Sequence, residues 1–336
     1  MNSTKFFSSN KYIFLPTSEN PKVAIVVDSP ILAQNSFKLY NSFSVKAKIL
    51  KKVSAFVFTN FNGLSKLVWG LKQEEKSAFV SYLEAKLNKS LVSSLYFSTI
   101  QDKVVIQLQT STAEIVGYLK YPLNEVGFQH LKTEKNAIEL LSEQRIVNKY
   151  LLHDEFNGKP FILLAALEGR IGIVPRNNVD DLLLRFRRKD IYKLTNHPRI
   201  IELKRSVIST DMSNYLPQIE KICQKSILRY ALVYEHGDFT PWNIVKVDGD
   251  YVPFDFEHFV EDGLEYFDLI KYYYQIGRLL EGMKAKELIT YISEQINIKE
   301  IESLFQLFLI KEISRNKEES EPYFFEINVL ETMEKR

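Results

Sequence analysis

Residues 234–268, YEHGDFTPWNIVKVDGDYVPFDFEHFVEDGLEYFD, form the stretch that decides the fold. His236 opens an H-x-D-x-x-x-x-N pattern that contains Asp238 and ends at Asn243. Two apolar runs then flank an Asp-Gly turn, which predicts a β-hairpin with Asp255 at its far end. Such a hairpin would bring two carboxylates and one amide oxygen together. Oxygen ligands of this kind suit Mg²⁺, which also shares its coordination shell with substrate phosphates.

The composition is that of a globular protein with more than one domain. The chain has 336 residues, more than twice the roughly 150 residues usual for one domain. With 45% hydrophobic and 26% charged residues, collagen-like, coiled-coil and wholly disordered classes are excluded. The 44 basic and 42 acidic residues lack the basic excess of a nucleic-acid binder. We therefore expect no nucleic-acid partner.

The sequence also predicts a compartment. Cys223 is the single cysteine, which excludes an intramolecular disulfide and argues against a cysteine-built zinc site. The N-terminus lacks the features of a signal peptide, and no stretch approaches 18 uncharged apolar residues. We expect a cytoplasmic protein with no transmembrane segment. The oligomeric state is left open.

The fold class predicted from the pattern is α+β, in three segments. Residues 1–90 form an N-terminal α+β extension, with strands predicted at 23–28 and 54–59 and an amphipathic helix at 72–89. This extension carries 13 lysines, no arginine and 5 acidic residues, so it is more basic than the rest of the chain. Its role is left open.

The second and third segments follow a different pattern. Within 91–168 we predict a three-stranded antiparallel meander between residues 94 and 120, a helix at 128–142 and a strand at 160–167. The remainder, 169–336, is predicted to be mainly helical, apart from the hairpin described above. Its helices are predicted at 264–282, 285–295, 299–314 and 322–334.

The pattern of polar residues between positions 236 and 268 resembles that of the aminoglycoside phosphotransferase and choline kinase family, which has a protein-kinase-like fold. The residues that carry the resemblance are His236, Asp238, Asn243, Asp255 and Asp268. The resemblance covers roughly residues 91–300. It implies a bilobal molecule with a small antiparallel β lobe and a larger helical lobe, to which residues 1–90 are an addition.

The resemblance also implies a role for each of these residues. Asp238 would be the catalytic base that accepts the proton of a substrate hydroxyl, and Asn243 and Asp255 would hold Mg²⁺ on the ATP phosphates. Asp268 would be a structural carboxylate that braces the catalytic loop. His236 would support the loop and would not carry protons.

Upstream residues complete the nucleotide site that the resemblance implies. Lys120, at the end of a predicted strand, is placed like the family's lysine that reaches the nucleotide phosphates. Glu134 or Glu139, both on the following helix, would be its ion-pair partner. Lys120 could also be a basic residue on an exposed strand end.

The adenine site is implied in the same way. The Ala165 carbonyl and the Leu167 amide would bind the base of ATP or GTP, although a buried strand that leads into a turn would have the same sequence. The turn at 99–103 contains no glycine, unlike the glycine-rich loop of protein kinases. This difference favours the small-molecule branch of the fold.

Two hypotheses about function follow. The first is an ATP- and Mg²⁺-dependent phosphotransferase that moves the γ-phosphoryl group to a hydroxyl of a small molecule, such as a sugar, an amino sugar, an amino alcohol or a glycoconjugate precursor. The second is a catalytically inactive kinase-like module that binds a nucleotide or a partner. The presence of Asp238, Asn243, Asp255 and Lys120 together favours the enzyme.

Overall fold

The chain folds into two compact units. The computed structural model describes residues 3–17, 19–39, 52–53, 56–58, 70–97 and 102–335. The units are Met1–Glu168 and Gly169–Arg336, which meet in the sequence where the second predicted segment ends. The elements bear out the α+β class. In the part of the chain that the structure describes, no helix is both long and apolar enough to cross a membrane.

In the residues that the structure describes, the first unit is built on one antiparallel sheet of eight strands, in the order β3-β1-β2-β4-β5-β6-β8-β7. Its strands are β1 (Lys11–Leu15), β2 (Val23–Val26), β3 (Lys72–Gln73), β4 (Leu91–Phe97), β5 (Lys103–Thr110), β6 (Ile115–Pro122), β7 (Leu152–Phe156) and β8 (Lys159–Ala165). Its helices include α1 (Pro30–Ser36), α2 (Ala78–Leu87) and α3 (Glu125–Glu143). The predicted meander is β4, β5 and β6, and the predicted helix at 128–142 is α3.

The segment before residue 91 extends this same sheet. Strand β2 pairs with β4, with Val23 opposite Tyr96 and Ala24 opposite Leu95. The three-segment division of the chain stays a prediction. Of the strand predicted at 54–59, the structure describes only 56–58, and these residues are helical, so the prediction is wrong there.

Helix α2 packs its apolar face into the core of the first unit. The Ser77 hydroxyl caps the helix by accepting a hydrogen bond from the Val80 amide at 3.2 Å. On the buried face, the Phe79 ring lies 5.4 Å from the ring of Tyr121 and 5.3 Å from that of Phe161, measured between centroids. Aromatic rings at these separations add to the stabilisation from apolar burial. Residues on both sides of position 90 therefore share one hydrophobic core.

The second unit is mainly helical and holds two three-stranded sheets, β10-β11-β14 and β13-β12-β9. Its strands are β9 (Arg170–Ile171), β10 (Arg187–Lys193), β11 (Arg229–Glu235), β12 (Ile244–Val247), β13 (Asp250–Pro253) and β14 (Val260–Leu264). Its helices are α4 (Arg176–Leu184), α5 (Pro198–Ser209), α6 (Leu216–Lys225), α7 (Phe267–Gln275), α8 (Ala285–Gln295), α9 (Ile301–Glu318) and α10 (Phe324–Glu334). A π-helical turn, Ile276–Leu280, continues α7.

The predicted hairpin is β12 and β13. Val247 pairs with Asp250 across a two-residue turn in which Asp248 and Gly249 both have positive φ, as a tight hairpin turn requires. The sequence prediction missed the sheet β10-β11-β14. Strand β10, RRKDIYK, is an edge strand whose exposed charged residues hide the alternation typical of a strand.

Replacing Phe79 by alanine should lower the free energy of unfolding by about 3–5 kcal/mol, because the ring leaves a cavity among aromatic neighbours. Phe324→Ala is the matched control: its side chain is 78% exposed, so a change within about 0.5 kcal/mol is expected. Chemical denaturation of the full chain measures both. Similar losses in the two variants would contradict the packing of α2 against the sheet.

Candidate active site

The loop between β11 and β12 carries the H-x-D-x-x-x-x-N pattern, and a buried carboxylate holds it in place. Asp268, in the first turn of α7, accepts the backbone N–H of His236 at 2.7 Å and that of Gly237 at 3.0 Å, one on each carboxylate oxygen. Burial, and then the nearby Glu235 carboxylate, raises the pKa of Asp268 above its ordinary value. The two backbone donors favour the charged form against this effect.

Gly237 allows the loop to turn at this point. Its φ is +79°, and a Cβ atom built there would lie 2.0 Å from the backbone carbonyl oxygen of His258. A side chain at this position would therefore be strained by the left-handed backbone conformation and would also clash with a backbone atom. Glycine at position 237 therefore allows the backbone to turn between the two amides that Asp268 binds and Asp238.

His236 is buried and serves the loop through hydrogen bonds. Its Nε2 lies 3.0 Å from the carbonyl oxygen of Phe254, to which it donates, while Nδ1 accepts the Asp238 amide at 3.4 Å. Burial lowers the pKa of His236, which favours the neutral ring. The imidazole thus ties the loop to the end of the hairpin.

Asp238 and Asn243 lie side by side. The Asn243 amide nitrogen donates to both the backbone carbonyl and the Oδ2 atom of Asp238, each at 2.9 Å. Because the nitrogen faces two acceptors, the amide oxygen is left for another partner. The Asp238 side chain is 28% exposed, so part of it is accessible to solvent.

Asp255 stands at the mouth of the same hairpin. The Phe254 amide donates to the Asn243 carbonyl oxygen at 2.9 Å, which brings the residue before Asp255 next to Asn243. Asp255 itself has a φ of +69°, in the left-handed region that aspartate tolerates better than most residues. The structure thus places Asp238, Asn243 and Asp255 in one part of the second unit, as the sequence predicted.

A group of buried charges behind Asp238 was missed by the sequence analysis. Lys271, on α7, lies with its Nζ 3.3 Å from Asp238 Oδ1 and 2.6 Å from Glu312 Oε2. Arg315, one turn beyond Glu312 on α9, donates to Glu312 at 2.7 Å and to the Gly237 carbonyl oxygen at 3.3 Å. A lysine three residues after Asp268, within an otherwise apolar helix, was the signal available in the sequence.

Lys120 and Glu134 form a two-pronged ion pair in the first unit. Lys120 is on β6, and its Nζ donates to both carboxylate oxygens of Glu134, on α3, at 2.7 Å each. Both residues are buried. Glu139, the other candidate partner, instead accepts hydrogen bonds from Lys135 at 2.6 Å and from the Tyr150 hydroxyl at 2.7 Å.

Ala165 and Leu167 lie where β8 ends. Ala165 is the last residue of that strand and pairs with Gly117 of β6, and Leu167 follows two positions later. Both residues are half-buried. Neither contributes a functional side chain, so any role in binding falls to the backbone.

Comparisons with known proteins identify similar solved structures. No protein-family model matches the chain, and no curated protein matches its sequence. An aminoglycoside phosphotransferase from Streptomyces rimosus, in complex with ADP and streptomycin, is 15% identical with a TM-score of 0.47, over 70% of this chain and 97% of that one. A choline kinase from Cryptosporidium parvum is 12% identical with a TM-score of 0.45, over 72% and 87% of the two chains.

A third similar structure is an ethanolamine kinase from Plasmodium vivax. It is 12% identical with a TM-score of 0.44, over 75% of this chain and 84% of that one.

Gly237→Ala should lower the free energy of unfolding by more than about 2 kcal/mol, because the left-handed conformation by itself costs roughly 1–2 kcal/mol and the clash adds to it. Gly282→Ala is the matched control, since Gly282 has a φ of +65° but open space around a Cβ. Thermal and urea unfolding of both variants measures the difference. Equal losses would show that the contact with the His258 carbonyl is of no consequence.

Proposed function

We propose that the chain is an ATP- and Mg²⁺-dependent phosphotransferase that moves the γ-phosphoryl group to a hydroxyl of a small molecule. The observation that carries this proposal is the pair Asp238–Asn243 in an H-x-D-x-x-x-x-N loop. In kinases the aspartate of this pattern accepts the proton of the substrate hydroxyl, and its asparagine binds Mg²⁺. The partly exposed carboxylate of Asp238, held by the Asn243 amide, is consistent with both roles.

Asp238 would act as the base. Its carboxylate would accept a hydrogen bond from the acceptor hydroxyl and take up the proton as the acceptor oxygen bonds to the γ-phosphorus and the bond to the leaving phosphate oxygen breaks. Positioning and charge neutralisation supply most of the catalysis in phosphoryl transfer. His236 and Asp268 would contribute by fixing the loop and would not exchange protons with the substrate.

The donor atoms at the hairpin mouth fit a Mg²⁺ ion. The amide nitrogen of Asn243 is bound to Asp238, so the amide oxygen of Asn243 is available for a metal ion. Asp255 offers a carboxylate, and the residue before it is hydrogen-bonded to the backbone of Asn243. Hard oxygen donors of this kind, few in number, suit Mg²⁺, which keeps several waters and binds substrate phosphates. When bound, the ion would offset the negative charge of the phosphates.

Lys120, Ala165 and Leu167 would be the nucleotide-binding residues. Lys120, held by Glu134, would offer a fixed positive charge to the phosphates, and a charge that is already oriented needs no rearrangement during the reaction. The backbone of Ala165 and Leu167 would bind the base of ATP or GTP. The acceptor would be a sugar, an amino sugar, an amino alcohol or a glycoconjugate precursor.

Asp238→Asn should lower kcat by about 10²- to 10⁴-fold, the contribution typical of a positioned base, while ATP still binds. ATP consumption across a panel of hydroxyl acceptors measures the first quantity, and titration calorimetry measures the second. Asp262→Asn, at a half-exposed position on β14, is the control and should keep wild-type turnover. Undiminished turnover in Asp238→Asn would rule out its role as the base.

Asp255→Ala should abolish the Mg²⁺-dependent part of ATP binding, because it removes one of the two proposed metal ligands. Calorimetric titration with ATP, with and without Mg²⁺, measures this effect. Asp250→Ala, an exposed residue of the same hairpin, is the control and should bind like wild type. Nucleotide binding without turnover in the wild-type chain would favour the inactive binding module. No nucleotide binding by wild type would reject the proposal.

A further inference from the structure

Lys271 is a buried cation next to the proposed site, with no role in the reaction as described above. Its side chain is 2% exposed, and its ammonium group lies between the carboxylates of Glu312 at 2.6 Å and Asp238 at 3.3 Å. A buried ammonium group requires compensating charge or hydrogen bonds. Here one partner is interior and the other is the carboxylate at the head of the H-x-D-x-x-x-x-N loop.

One turn of α7 supplies two contacts to that loop. Asp268 and Lys271 are three residues apart and therefore share a face of the helix. Asp268 binds the backbone of the loop, at the amides of His236 and Gly237. Lys271, one turn further on, contacts the side chain of Asp238. The helix thus holds the loop at its backbone and at its carboxylate.

Lys271 also completes the environment of the Asp238 carboxylate. Oδ2 accepts the Asn243 amide nitrogen at 2.9 Å, and Oδ1 faces Lys271. The two oxygens are thus held from different elements, the loop and helix α7. A carboxylate held at both oxygens keeps one orientation toward solvent.

Glu312 cannot balance Lys271 by itself, because it is shared. It also contacts Lys311 at 3.2 Å and Arg315 at 2.7 Å, so one carboxylate serves three cations. Asp238 is the second carboxylate that Lys271 contacts. The pairing therefore favours the position of Asp238 in which Oδ1 faces inward.

We propose that Lys271 is a positioning residue of the phosphoryl-transfer site, which orients the Asp238 carboxylate toward the acceptor hydroxyl. The inference rests on the proposed function. Reacting groups must be held closely, and a displacement of about 1 Å can cost on the order of 10²-fold in rate. Without Lys271, the Asp238 carboxylate would keep the Asn243 amide on Oδ2 but lose the contact on Oδ1, and could rotate.

The test compares Lys271→Met with Lys311→Met in the full-length chain. Both changes remove a buried lysine from Glu312, but Lys311 contacts Glu235 at 3.0 Å and not Asp238. Lys271→Met should lower kcat by about 10- to 100-fold, with the KM for ATP changed by less than about twofold. Lys311→Met should keep kcat within about threefold of wild type, although both variants lose thermal stability.

A second readout does not depend on catalysis. Amide hydrogen exchange in residues 236–243 should accelerate at least about tenfold in Lys271→Met and stay near the wild-type rate in Lys311→Met, since only the first change releases the loop locally. If wild type shows no phosphotransfer, the proposed function fails, and the exchange comparison then decides only whether Lys271 holds the loop in place.

Three outcomes would overturn the inference: unchanged kcat and exchange in Lys271→Met, equal effects of the two lysine changes, or a loss confined to the KM for ATP. If Lys271→Met does not fold, Lys271→Gln is measured by the same criteria. Glutamine removes the charge but keeps a hydrogen-bond donor for Glu312.

Discussion

The backbone hydrogen bonds that Asp268 accepts from His236 and Gly237 hold the loop on which the candidate site depends. Without a hydrogen-bond acceptor, each of these two buried amides would destabilise the fold by about 1–3 kcal/mol. Asp268 supplies both acceptors from one side chain. The positive φ of Gly237 then sets the turn of the backbone directly before Asp238. The geometry of Asp238 is therefore set by a residue thirty positions later in the chain.

The charges behind this loop extend the same constraint into the interior. Burial by itself would raise the pKa of Glu235, but Arg199 and Lys311 lower it below its ordinary value. Burial would likewise raise the pKa of Glu312, and its neighbouring cations lower it well below that value. Buried pairs of this kind are costly to desolvate, so their contribution to stability is modest while the loss of one partner is severe. Basic and acidic side chains alternate along a row of ion pairs, in the order Arg199, Glu235, Lys311, Glu312, Lys271 and Asp238.

The first unit also contains a buried ion pair, but with only two charges. Lys120 and Glu134 are buried, and the bidentate contact satisfies both carboxylate oxygens. Strand β6 pairs with β5 on one side and β8 on the other, so Lys120 lies on an interior strand of the sheet that is hydrogen-bonded along both edges. Such a platform is what a fixed, pre-oriented charge requires. The sheet itself is larger than the sequence pattern indicated, because strands from the first 90 residues pair with it.

The sequence by itself determined the features that depend on neighbours along the chain. Alternating apolar residues around Asp248-Gly249 specify the hairpin, and the five-residue spacing puts Asp238 and Asn243 in one loop. The resemblance to the kinase family limited the expected partner of Lys120 to two glutamates on one helix. The tertiary structure chose Glu134, because Glu139 is bound to Lys135 and Tyr150.

Only the tertiary structure decided the long-range contacts. Residues 267–274 of helix α7 are all buried, so no exposed face of the helix shows where Lys271 points, and its partner Glu312 is 41 residues away. The pairing of β2 with β4 likewise spans about 70 residues, too far for a local pattern to specify. Periodicity and turn residues report local geometry, whereas ion pairs and strand partners are chosen by packing between distant segments.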